Sequence, residues 1–334
     1  MKAAMVTKAS IEDGIEVQTV DKPVPAKGEV LVQVTASAIN PVDWKLVKYG
    51  AYKSYPGPLG CDFAGVVTAL GDDVKDFAVG DEVMGFTRLM EAGRGTFAQF
   101  LVAEASCCIR KPASMPFDEA STFGVGSLTA ALALFFHQKL AKPSTSPKDQ
   151  GYYLVWGASS SVGLFAVQLA KAAGFQVIGT CSPRNFDLVK SFGADFVLDS
   201  NKETALLGEI DNIIKDVELK YALDCIGADT ALHCAIALAS GGILCTIAGE
   251  PKSSPEDIEV IPTLLGGYEK DVKKKRFVED FILNDLNSFL LKKGLIKGNP
   301  TQILDGGLSA VKEGFELSST GKVSGKKLVL LQHT

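Results

Sequence analysis

At 334 residues, 46% of them hydrophobic and 22% charged, the chain can bury a sizeable core, and its length suggests two domains. A net charge of −5 argues against nucleic acid or an anionic membrane as partner, and no apolar stretch reaches spanning length without a charge or a turn signal. Seven cysteines scattered through apolar runs point to a reducing compartment, and the opening MKAAMVTKAS lacks the apolar core of a signal peptide, so the expected setting is cytoplasmic.

Residues 1–123 read as β-rich. Residues 29–36 (EVLVQVTA) alternate as a half-buried strand does, residues 64–70 give another, residues 77–85 turn into a third, and residues 95–102 a further one. Glycine and proline punctuation between them suggests an irregular barrel or sandwich. Residues 116–120 start a helix, residues 128–137 form a long apolar one, and KPSTSPKDQ at 142–150 is an exposed loop. Strands at 152–156, 176–180, 195–198, 221–226 and 242–248 then alternate with helices at 162–173, 186–192, 204–216 and 229–239. Such alternation demands a parallel sheet with helices on both faces. Residues 277–293 and 311–319 are amphipathic helices, and 326–331 a closing strand. The basic run Lys273-Lys274-Lys275-Arg276 reads as a solvated helix face.

Residues 152–171 (YYLVWGASSSVGLFAVQLAK) organise the second half. An apolar strand runs into Gly157-Ala158-Ser159-Ser160-Ser161-Val162-Gly163 and then a helix with Gln168 and Lys171 on its polar side. Strand, small-residue turn and helix together present backbone N–H groups and a helix dipole to a pyrophosphate. The three glycine places of the dinucleotide fingerprint fall on Ala158, Ser160 and Gly163, so only the last is glycine, while the serines are small enough for phosphate approach and add hydroxyl donors. After the second strand, where an acid would meet the ribose hydroxyls of NAD, the chain reads Cys181-Ser182-Pro183-Arg184-Asn185. Ser182 and Arg184 suit the 2′-phosphate of NADPH; the bland alternative is a surface arginine in a turn.

Several motifs occur in an order that resembles the medium-chain dehydrogenase/reductase superfamily. They are Asn40-Pro41-Val42-Asp43-Trp44-Lys45, Gly60-Cys61-Asp62-Phe63-Ala64-Gly65, Val79-Gly80-Asp81-Glu82-Val83, Gly95-Thr96-Phe97-Ala98 and Leu128-Thr129-Ala130. The 157–171 turn and helix, Asp224-Cys225-Ile226-Gly227 and Gly325-Lys326 complete the set. NPVDWK, GCDFAG and CSPRNFDLVKSFGAD look most like the zinc-independent quinone oxidoreductases and the fungal trans-acting enoyl reductases that partner polyketide synthases. The resemblance implies an α/β chain: a GroES-like catalytic domain (1–123), a Rossmann doubly wound parallel-sheet domain (124–265) and a C-terminal segment (266–334) returning to the first, with nicotinamide and substrate held between. Monomers and homodimers both occur in the family. It also implies that Asn40, Pro41, Val42, Asp43, Thr129, Cys225, Ile226, Ala248, Gly249, Gly325 and Lys326 join the 157–163 turn, Ser182, Arg184 and Asn185 around NADPH.

Zinc-dependent relatives place a thiolate and an imidazole near the nicotinamide. Here Asn40 stands at the first ligand position, and Gly60-Cys61-Asp62 replaces Gly-His-Glu. His137, His233 and His333 fall in or beside apolar helices or at the terminus, and no cysteine lies between Gly85 and Gly95. The chain is therefore expected to be metal-free.

Without a Lewis acid, the expected chemistry is hydride transfer to an electrophilic small molecule: an enone, enal, enoyl thioester or quinone. Asn40 would donate an amide N–H, and Lys45 would steady enolate charge or reach a phosphate. Tyr52 would offer a phenol, and Thr129 would contact the nicotinamide. Against these stand a self-bonded NPxD turn, a solvated Lys45, a packing Tyr52 and an ordinary helix-start threonine. Two further alternatives are an aldehyde reductase of the same fold and a catalytically weak NADPH-sensing interaction protein.

Overall fold

The computed structural model describes residues 1–52, 55–88 and 90–332. It divides into two compact units. The first comprises residues 1–125, 282–287 and those from 298 onward; the second comprises 126–281 and 288–297.

In the first unit a seven-stranded sheet runs in the order Thr301–Leu304, Lys327–Leu331, Glu29–Ala38, Asp62–Leu70, Glu82–Phe86 and Cys108–Arg110, with Phe100–Glu104 also paired to Glu29–Ala38. Val30, Val32 and Val34 bury with Phe63, Val67, Val83 and Leu101 in one core. A second core gathers Ile39, Val47, Leu59, Phe97, Phe315 and Leu328. A small sheet of Ile15–Thr19, Lys2–Val6 and Gly57–Pro58 lies in the same unit. The stretch 95–102 is a strand only from Phe100; before it Ala98 makes one isolated bridge to Ala3, because Phe97 turns into the core.

The second unit carries a six-stranded parallel sheet. Its order is Phe196–Asp199, Gln176–Cys181, Tyr152–Trp156, Tyr221–Asp224, Ile243–Thr246 and Glu259–Pro262. Leu154, Trp156, Ile178, Ala222 and Leu244 pack against Leu206, Ile210, Ala231 and Ala235 of the intervening helices. Gln168, expected on a polar face, is buried instead: its side chain bonds both the N–H and the C=O of Lys297, a backbone segment it caps within the same unit. The helix that carries Thr129 begins at Gly124 and continues as a π-helical turn, Leu132–His137. Thr129 is thus an interior helix residue, since Gly124 and Gly126 sit inside the helix rather than ahead of it. Another helix starts at Val272, capped by Asp271, and passes into a π-helical stretch, Phe281–Leu290. No helix among the described residues is long and apolar enough to cross a membrane.

Candidate functional site

In the second unit, strand Tyr152–Trp156 runs into helix Ser161–Ala173 through a turn packed as closely as its atoms allow. Gly157 adopts φ +76°, and a Cβ there would lie 2.5 Å from Ile226 Cδ1. A Cβ on Gly163 would lie 2.4 Å from Gly157 O and 2.9 Å from Ala158 Cα. Ala158 is buried, and its N–H donates to Thr180 O. Ser160 is the N-cap, its Oγ accepting from Gly163 N at 3.0 Å, so this hydroxyl secures the helix start. Ser161 and Val162 form the first helical turn, where amides lack helical partners and the dipole is positive. Close backbone approach at two glycines and a thirteen-residue helix behind them fit a dinucleotide pyrophosphate.

Ser182, Arg184 and Asn185 follow strand Gln176–Cys181 in a short 3₁₀ turn. Asn185 is buried and donates from Nδ2 to Ser159 Oγ at 3.1 Å, tying this turn to the one after the first strand. Arg184 is exposed and makes no ion pair among the described residues. Cys225, Ile226, Ala248 and Gly249 follow the carboxyl ends of strands Tyr221–Asp224 and Ile243–Thr246, the end of a parallel sheet where ligands bind in such folds. Cys225 is buried, which holds its thiol protonated, whereas Ile226 is 54% exposed. Burial raises the Asp224 carboxyl to about 6, opposed by hydrogen bonds from Thr230 and the Gly227 N–H. Thr129 is 6% exposed, and its hydroxyl has no partner among the described residues.

The first unit holds a buried polar cluster. The antiparallel register Val329↔Ala38, carried two residues further, sets Lys327 against Asn40, and Asp62 pairs with Ala38 on the other side. Lys327 Nζ donates to Asn40 Oδ1 at 2.6 Å and to Asp62 Oδ2 at 3.0 Å. Asn40 Nδ2 donates to Asp62 Oδ2 at 2.8 Å and lies 3.5 Å from Cys61 Sγ. Asp62 Oδ1 accepts the Val125 N–H at 2.7 Å, securing the start of helix Gly124–Ala131. Asp43, third residue of helix Pro41–Lys48, accepts the Asn40 N–H at 2.7 Å and the Cys61 thiol at 3.4 Å.

Asn40 and Asp43 are thus brought together, but every polar atom of the Asn40 side chain is engaged by the protein. Lys45 lies elsewhere, exposed on the same helix with its ammonium 5.7 Å from the Trp44 ring centroid. Pro41 is exposed at the helix start and Val42 is half-buried. Tyr52 is buried, and its hydroxyl donates to Pro58 O at 2.8 Å, so the phenol is a packing group with a satisfied donor. Gly325, at φ +66°, and exposed Lys326 lead into strand Lys327–Leu331. Lys327 itself was not among the expected site residues. Its signal was a second lysine in an otherwise apolar strand, which alternation alone cannot assign to the inner face.

Zinc does not fit this donor set. A carboxamide, a thiol pushed up by burial and a carboxylate already surround an ammonium. Among the described residues no group of three or more His, Cys, Asp or Glu side chains could hold a metal ion. His137 and His233 belong to the second unit, and His333 lies outside the described residues.

Burial raises the Asp43 carboxyl to about 7; the Asn40 N–H, the Cys61 thiol and Lys327 oppose the shift, while Asp62 adds to it. The unfolded carboxyl titrates near its ordinary 3.8, so between these values the native state holds the extra proton. Stability should therefore fall as pH rises through this window, by up to about 1.4 kcal/mol per pH unit from this group. Urea midpoints at about pH 5 and about pH 7 should differ more in the native chain than in D43N, where only the raised Asp224 carboxyl still contributes over the lower part of that window. An unchanged difference in D43N would assign the slope to another group.

Comparison with known proteins places these features in a family. Residues 26–113 match the alcohol dehydrogenase GroES-like domain and residues 161–275 the zinc-binding dehydrogenase domain. Trans-enoyl reductase buaC of Petromyces alliaceus is 33% identical over 340 residues, covering 91% of this chain and 90% of that protein. Trans-enoyl reductase caaB of Aspergillus niger is 34% identical over 341 residues, covering 92% of each. An alcohol dehydrogenase superfamily protein from Novosphingobium aromaticivorans shares the fold, with a TM-score of 0.86 at 23% identity over the full length of both chains. The chain belongs to the medium-chain dehydrogenase/reductase superfamily and, within it, to the family of the trans-enoyl reductases.

Proposed function

We propose that the protein is an NADPH-dependent reductase of carbon–carbon double bonds conjugated to a carbonyl, with enoyl thioesters as its principal substrates. The observation that carries this reading is the closed Asn40–Asp62–Lys327 network: its donor atoms are spent on an ammonium, so the substrate must take up charge without a Lewis acid. A conjugated carbonyl does so. The names of the two relatives favour the enoyl class over quinones, and the resemblance to enzymes that partner polyketide synthases favours a chain delivered by such a synthase.

The cofactor, if bound, would supply the hydride that a conjugated acceptor takes at its β-carbon. The C=C π pair then joins the α-carbon to the carbonyl carbon, the carbonyl π pair moves onto oxygen as an enolate, and a proton from solvent adds at the α-carbon. The chain's own residues bind and orient. The Gly157–Gly163 turn and helix Ser161–Ala173 would hold the pyrophosphate, and Ser182 and Arg184 the 2′-phosphate. Thr129 offers an uncommitted hydroxyl to the nicotinamide or the acceptor carbonyl. Replacing it with valine keeps the volume and removes the donor, so kcat/KM should fall about 10- to 100-fold with little change in Tm. Unchanged kcat/KM in T129V would remove Thr129 from the site.

The direct test is NADPH consumption with enoyl thioesters, enones, enals, quinones and saturated aldehydes. Turnover of enoyl thioesters above the others is expected. Turnover confined to saturated aldehydes would make the protein an aldehyde reductase, and tight NADPH binding without any turnover would make it a cofactor sensor.

A further inference from the structure

The Lys327–Asp62 ion pair is the most deeply buried among the described residues, its side chains 3% and 0% exposed. Such a pair is costly to desolvate and persists where its remaining hydrogen-bonding capacity is met. Here it is met on both sides. Asp62 uses Oδ2 for Lys327 and the Asn40 amide, and Oδ1 for the Val125 N–H. Lys327 reaches Asn40 Oδ1 as well. By the resemblance, Asn40, Cys61 and Asp62 also stand where zinc-dependent members of this superfamily would carry metal ligands.

We propose that the Lys327 ammonium is the resident cation of this centre, a covalently held positive charge that orders Asn40 and Asp62 as a divalent ion would and leaves no coordination position for one. Three strands converge on it. Asn40 ends the approach from Glu29–Ala38, Asp62 opens Asp62–Leu70, and Lys327 opens Lys327–Leu331. A metal entering here would have to displace an ammonium bound to two oxygens, with Cys61 protonated against Asp43. The inference concerns charge balance and metal exclusion in the first unit. It rests on the same closed network as the reductase reading, but its test needs neither cofactor nor substrate, so loss of turnover and failure of metal exclusion are told apart.

The test has two arms, both on the full chain. In the first, the native protein is titrated with Co²⁺, and thiolate-to-cobalt absorption is followed in parallel with C61S. No band that depends on Cys61 is expected; a stoichiometric one, lost in C61S, would overturn the proposal. In the second, K327M, D62N and K327M/D62N are compared by thermal denaturation. K327M leaves a buried carboxylate without its counter-charge and should lower Tm by about 10 °C, while the double variant, which has no ion to compensate, should regain at least about half of that loss. A K327M variant as stable as the native chain, or a double variant no better than K327M, would overturn it. If K327M does not fold, folded K327M/D62N supports the proposal and an unfolded double variant contradicts it.

Discussion

Replacing Arg184 with alanine is expected to raise the Kd for NADPH by about 10- to 100-fold while leaving that for NADH within about twofold. The reasoning is local. Arg184 is exposed on a turn after strand Gln176–Cys181, is held by no ion pair among the described residues, and belongs to a turn tied through Asn185 to Ser159 of the Gly157–Gly163 turn. On the proposed NADPH reading, a guanidinium in that position would form charge-assisted hydrogen bonds to a phosphate that NADH lacks. Fluorescence titration of both dinucleotides against the native chain and R184A measures the contrast. Equal weakening of the two would show that Arg184 does not read the 2′-phosphate, and the choice of NADPH would lose its main support.

Replacing Gly163 with alanine is expected to weaken both dinucleotides together, by about 30-fold or more, and to lower stability. The new Cβ would meet Gly157 O at 2.4 Å and Ala158 backbone atoms at 2.9 Å, so the turn itself must open. Backbone cannot rotate away as a flexible side chain can. Gly208 supplies the control: it lies in helix Glu203–Ile214, and a Cβ there meets nothing within 4 Å. G208A should leave binding unchanged and add up to about 1 kcal/mol of stability through helix propensity. Unchanged dinucleotide binding in G163A would place the pyrophosphate away from this turn.

The second unit was the more legible half because its strands are apolar runs closed by glycine or polar residues. Expected bounds for Tyr152–Trp156, Gln176–Cys181 and Ile243–Thr246 lie within two residues of those observed. The first unit was harder. Lys2–Val6 and Thr301–Leu304 are short strands, one paired across an irregular loop to Ile15–Thr19 and the other to Lys327–Leu331, so local pattern does not announce them. Asn40-Pro41-Val42-Asp43 was readable as a turn, and it forms the start of helix Pro41–Lys48, with the Asp43 carboxylate accepting the Asn40 N–H and the Asp43 N–H donating to Asn40 O. That the other face of Asn40 meets Lys327, 287 positions away, depends on sheet register and could not be read from spacing. Gln168 was misplaced for a related reason: a polar residue at helical spacing looks exposed until a backbone segment arrives to use it.

The most direct measurement follows deuterium. The protein is incubated with an enoyl thioester and NADPH carrying deuterium at the transferable position of the nicotinamide, and the saturated product is examined by mass spectrometry and NMR. The account predicts one deuterium on the β-carbon and an unlabelled proton from solvent on the α-carbon. Saturated product without deuterium, or label found only in an alcohol formed from the carbonyl, would contradict it.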